Sequence, residues 1–187
     1  MNFVLKGIAH ITDLEGYDHM LFLWVMCLPF AIHQWKQPAI LATASTVGHS
    51  ISLALAVTDV VHISQSWIEF LIPTTIFMTA IANVLVVTGV LKPAIWTTYI
   101  TALVFGCIHG AGFSTYLRMI MDDGSSLLTQ LFQFNCGVEL GQILILFIIL
   151  ILTSVAARVG IHRGLNMTGS ALGGVLALWM MVERYPL

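Results

Sequence analysis

Asp18, His19, His49, His109 and Glu139 all fall within or at the edges of long apolar runs. Ionisable groups are costly to hold in hydrocarbon, so a membrane protein that keeps several is expected to use them. Imidazole nitrogens and carboxylate oxygens together suit zinc, nickel, cobalt, iron or manganese, and suit copper(I) less because it prefers sulfur. A divalent transition metal held by these five residues is the chemistry first expected.

The spacing within helices adds a supporting layer, since residues three or four apart share a face. Ser45, His49 and Ser52 form one polar stripe, and Asn135, Glu139 and Gln142 form another. Ser45, Ser52, Asn135, Gln142 and Glu69 are therefore expected to orient the ligands. Gly106 and Gly110 bracket His109, while Gly137 and Gly141 bracket Glu139. Small residues four apart let helix backbones approach closely, and a meeting of these two faces would bring His109 beside Glu139. Taken singly, each group has a plainer reading. A membrane histidine can bond a neighbouring carbonyl, and Asp18 and Glu69 near helix starts suit the helix dipole.

The elements that carry these groups follow from composition. The chain has 187 residues, 58% hydrophobic and 9% charged, with a net charge of -2. Soluble domains carry about 25% charged residues. The expectation is one all-α domain over residues 1–187, a polytopic helical bundle in a lipid bilayer. No basic block recommends nucleic acid. Cys27, Cys107 and Cys136 lie in apolar runs and read as packed thiols.

About six spans are expected after a short N-terminal interfacial helix. They run from about Tyr17 to His33, Pro38 to Val57, Trp67 to Val90, Pro93 to Phe113 or Arg118, within Ser126 to Arg158, and Leu165 to Val182. The last-but-one stretch exceeds one crossing, so its first part is expected to be tilted or interfacial. The clearest loop is Asp122, Asp123, Gly124, Ser125. The first apolar run opens on Asp18 and His19, unlike a cleaved signal peptide, and is read as retained. An even number of spans puts both termini on one side. Lys36, Lys92, Arg158 and Arg163 against Lys6, Arg118 and Arg184 lean that side away from the cytoplasm by a small margin. Four separate segments then deliver acids and imidazoles to the terminal half of the membrane. His10, His33, His62 and His162 fall at borders or loops and are not counted with the site.

The chain resembles the HupE/UreJ family of bacterial membrane proteins, in its second branch. The matching pieces are a histidine preceding Gly16, Tyr17, Asp18 and His19; Gly48, His49, Ser50; His109, Gly110, Ala111, Gly112, Phe113; and the run from Phe134 through Asn135, Cys136, Gly137, Val138, Glu139, Leu140 and Gly141 to Gln142. The resemblance implies a six- or seven-span fold in the bacterial inner membrane and transport of nickel or a related divalent metal. Gly112 and Phe113 stand where the better-studied branch has a second histidine and an acid, so the metal is left open among nickel, cobalt and zinc.

Two function classes besides permeation fit the residues. One is an intramembrane metal-dependent hydrolase acting on a lipid or lipidated substrate, with Glu139 or Asp18 as general base. The other is an accessory protein whose polar core only packs helices, within a homo-oligomer or against a partner membrane protein.

Overall fold

The structure is a computed structural model that describes residues 2–14, 16–61, 64–92, 95–120 and 126–186, without the side chains of Ile95, Arg118 and Ile120. Pro93, His62, Glu15 and the loop Asp122 to Ser125 lie outside the described residues. Within them the chain is all helical: α1 Phe3–Thr12, α2 Asp18–Cys27, a 3-10 turn Ile32–Gln34, α3 Lys36–Val57, α4 Gln65–Val87, α5 Ile95–Ile120, α6 Leu127–Arg158 and α7 His162–Glu183. Five of these, α3 to α7, are long and apolar enough to cross a membrane. That is the architecture expected of a chain whose backbone must satisfy its hydrogen bonds internally in lipid.

The first expected span is the one that differs most. α2 has ten residues, followed by the turn at Ile32–Gln34. Pro29 explains the stop: it has no N–H to give to the carbonyl of Val25, four residues earlier. Asn83 of α4 takes that carbonyl instead, its Nδ2 donating to Val25 O at 2.7 Å. The short helix is thereby stitched to α4 by the bond its own backbone lacks.

The helix expected at the N-terminus is present as α1, capped by Asn2, whose side chain accepts from Leu5 N. It packs along the first half of α6 through Gly7 and Gly137: a Cβ on Gly7 would strike the backbone of Phe134 and Val138, and one on Gly137 would strike Val4 O. Phe3, Gly7 and Ile11 are buried there. This contact accounts for the length of α6, which is one continuous helix of 32 residues, about 48 Å at 1.5 Å per residue. Ser126 caps its start by accepting from Thr129 N, and Gly160, at φ 79°, turns the chain into α7.

α3 and α5 form the most intimate pair. Cβ atoms on Gly106 or Gly110 would meet the backbone of Ser45 and His49. The Gly106/Gly110 face and the Gly137/Gly141 face do not meet: the first packs on α3 and the second on α1, where Gly141 rests against Ile8 and Ile11. A small-residue stripe announces that some backbone comes close, and says nothing of which one. Gly169 and Gly173 of α7 instead receive side chains, Trp24 and Val25 of α2 and Leu28 just after it.

Candidate metal centre

Four histidines from four helices converge. His19 opens α2 and bonds His109 of α5, Nε2 to Nδ1, at 2.9 Å. His10 of α1 stands edge-on to His19, ring centroids 4.6 Å apart, and 6.0 Å from the ring of His49 in α3. One ligand atom each from His10, His19 and His49 all lie within 4.8 Å of one another. A tetrahedral ion with metal–nitrogen bonds of about 2.0–2.1 Å sets its ligand nitrogens roughly 3.4 Å apart. The three rings must therefore draw in by an ångström or so to hold an ion between them.

The unspent hydrogen-bonding capacity is what marks this cluster. His10 Nε2, His19 Nδ1, His49 Nε2 and His109 Nε2 are all buried without a hydrogen-bond partner. Each such atom costs about 1–3 kcal/mol if nothing satisfies it. For His49 the free nitrogen has an identifiable state. Asn135 Nδ2 donates to Leu131 O at 2.9 Å, which turns its Oδ1 toward His49 Nδ1, 3.2 Å away. An amide oxygen only accepts, so His49 carries its proton on Nδ1 and leaves the Nε2 lone pair open. That is the tautomer a metal ligand needs.

Asp18 stands at the edge of this group. Its Oδ1 is 3.5 Å from His19 Nδ1 and accepts from His19 N at 3.2 Å, and its Oδ2 accepts from Arg184 Nη1 at 3.2 Å. The carboxylate thus lies between a guanidinium and an imidazole at the N-terminus of α2, each of which favours its negative form. A cavity of about 380 Å³ reaches these groups, lined by His10, Asp18, His19 and His109 together with Glu69 and Arg184. Phe113 packs on His10 at 3.8 Å between centroids. Two turns earlier in α5, Phe105 lies against His109 and stacks on Phe22 at 3.3 Å, an apolar floor beneath the imidazoles.

Of the five expected ligands, four are brought together: Asp18, His19, His49 and His109. Glu139 stands apart, its Oε1 accepting from Thr43 Oγ1 at 2.7 Å between α3 and α6, with Oε2 unpartnered. Of the expected supporting residues, Asn135 bonds a histidine side chain. Ser52 Oγ donates to the His49 carbonyl at 3.2 Å, and buried Ser45 lies under Gly106. Gln142 accepts from Thr46 Oγ1 at 3.1 Å, beside Glu139. Glu69 reaches the cavity wall and accepts from Gln65 Nε2 at 3.0 Å. His10 is the residue the sequence reading left out. Its signal was there: Phe3, Gly7 and His10 follow helical spacing, so the face that docks on α6 also carries the imidazole inward.

Comparison with curated proteins and with solved structures finds no match. The family model described as HupE / UreJ protein matches residues 1–184, nearly the whole chain, and the chain belongs to that family.

Proposed function

We propose that this protein is a permease for a divalent transition metal, nickel, cobalt or zinc, in a bacterial inner membrane. The observation that carries the reading is that one ligand atom each from His10, His19 and His49 lie within 4.8 Å of one another, in a cluster where each of the three rings also has a buried nitrogen without a hydrogen-bond partner. Family membership and five helices fit to cross a membrane support it. In this reading His10, His19 and His49 grip the ion, and Asp18 supplies the negative charge that offsets it. His109 holds His19 in place, and Asn135 holds His49. Glu139 belongs to the pathway from one helical turn beyond Asn135, rather than to the cavity wall. An ion arriving through the cavity meets Glu69 and Asp18 first, and both attract it.

The test is uptake of nickel, cobalt or zinc into liposomes holding the purified protein, paired with equilibrium binding to the same preparation. Uptake lost in His19→Ala and His49→Ala together with binding is the expected result. Stoichiometric binding without uptake for any of the three metals would overturn transport. That outcome would favour a metal-dependent hydrolase, a reading supported by the cavity that reaches Asp18, His19 and His109. In that case Asp18, at the cavity wall, is the carboxylate placed to receive a proton from a metal-bound water. No binding at all would leave the accessory role.

A further inference from the structure

A second cavity lies at the opposite end of the bundle, and its chemistry is the reverse of the first. It measures about 570 Å³, within the range of roughly 300–1,000 Å³ typical of small-ligand sites. It opens between the end of α4, the starts of α5 and α7, and the turn after α2. Lys92, Arg163 and His162 line it, and no aspartate or glutamate does among the described residues. Two of these side chains are anchored. Arg163 Nη2 donates to Val87 O at 3.1 Å, capping the carbonyl end of α4, and a ring nitrogen of His162 lies 2.9 Å from Leu28 O.

α5 and α7 both begin here, so the positive ends of two helix dipoles add to the field. A divalent cation is the wrong guest for such a site. An anion is the right one, and the walls say what it is attached to: Met26, Phe30, Val86 and Leu91 give the crevice an apolar side, while Gln34, Gln37, Asn83 and Asn166 are among the polar residues of the other. Trp35 and Trp96, exposed by 54% and 76%, sit next to lining residues Gln34 and Thr97. Exposed tryptophans of this kind mark the level where headgroups meet acyl chains.

We propose that this crevice binds an anionic phospholipid, with the phosphate headgroup at Lys92 and Arg163 and an acyl chain along the apolar side formed by Met26 and Phe30 with Ala82 and Val86 of α4. Basic pockets between membrane helices are the kind of surface that holds such headgroups. The site is independent of the histidine cluster and does not need the permease reading.

The experiment uses the full-length protein, delipidated in a neutral detergent. Phosphatidylglycerol and phosphatidylcholine of identical chains are titrated in turn, with bound lipid counted by native mass spectrometry and melting followed in parallel. Glycerol 3-phosphate is the third arm. The expected result is saturable binding of phosphatidylglycerol at least tenfold tighter than of phosphatidylcholine. Lys92→Gln should weaken phosphatidylglycerol binding about fivefold, the worth of one juxtamembrane charge, and leave phosphatidylcholine unchanged. Arg163→Gln should do the same while also lowering the melting temperature, because Val87 O loses its donor. Lys36→Gln, at the same end of the bundle but outside the crevice, should have no effect. Equal binding of the two lipids would overturn the proposal. So would an equal effect of Lys36→Gln and Lys92→Gln, which would mean diffuse surface charge. Glycerol 3-phosphate binding as tightly as phosphatidylglycerol would overturn the lipid assignment in favour of a soluble phosphate ester.

Discussion

Replacing Asn135 with alanine removes the acceptor that holds the proton on His49 Nδ1. The structure supplies the size of the effect. His49 is 2% exposed, and its Nδ1 has Asn135 Oδ1 as its partner at 3.2 Å. Without that oxygen the ring carries a buried, unsatisfied N–H or shifts its proton to Nε2, where it blocks the lone pair offered to a metal. Leaving such a donor unpaired costs about 1–3 kcal/mol. Loss of the group that orients a ligating histidine typically weakens metal binding by about 10–100-fold. The assay is competition against a chromophoric chelator for zinc, nickel or cobalt with the detergent-solubilised protein, with melting recorded on the same samples. Asn135→Asp is the informative partner, because a carboxylate oxygen still accepts from Nδ1. It should retain the affinity that alanine loses. Affinity in Asn135→Ala within about twofold of the unmodified protein would refute the reasoning, since His49 would then need no orienting partner to ligate. Equal loss in Asn135→Ala and Asn135→Asp would refute it too, by showing that the amide matters for packing rather than for the tautomer.

His10→Ala removes one of three clustered imidazoles. If a four-ligand site is worth about 10–16 kcal/mol, one ligand accounts for about 3 kcal/mol, so affinity should fall on the order of 100-fold in the same competition assay. Gly7→Ala places a methyl against the backbone of Phe134 and Val138. It should cost about 1–3 kcal/mol by overpacking, seen as a lower melting temperature, and weaken metal binding as α1 is pushed off α6 and carries His10 with it. Arg184→Gln frees Asp18 from its guanidinium partner. Metal affinity should rise several-fold as the net charge near the site turns more negative, while the melting temperature falls by roughly 2–4 °C for each kcal/mol lost. Glu139→Gln should leave equilibrium metal affinity within about twofold, because the carboxyl is engaged by Thr43 outside the cavity and independent sites add. An effect of that change on uptake alone would place Glu139 in the movement of the ion rather than in its capture.

Hydropathy located the five long helices to within a few residues because a lipid-facing backbone has one economical solution, and that solution leaves its imprint on every residue of the span. It misjudged the segment from Tyr17 to His33, where a single proline shortened the helix and a side chain from α4 repaired the gap. Asp18, His19, His49 and His109 stood out as candidates because charge and imidazole are so rare in apolar runs that their types alone are informative. His10 was legible only as a member of the face it shares with Phe3 and Gly7, because the helix on which that face docks is decided in the folded chain.

What the sequence determined by itself was that apolar helices bury ionisable groups, and which groups those are except for His10, because the rarity of charge and imidazole in an apolar run is a property of each segment taken alone. The tertiary structure alone decided who meets whom. Gly106 and Gly110 seat on α3 rather than α6, and α1 takes the face that Gly137 and Gly141 present. Four imidazoles are thereby drawn together while Glu139 is turned to Thr43. Helix pairing depends on the fit of two surfaces at once, and that fit is written in neither segment separately.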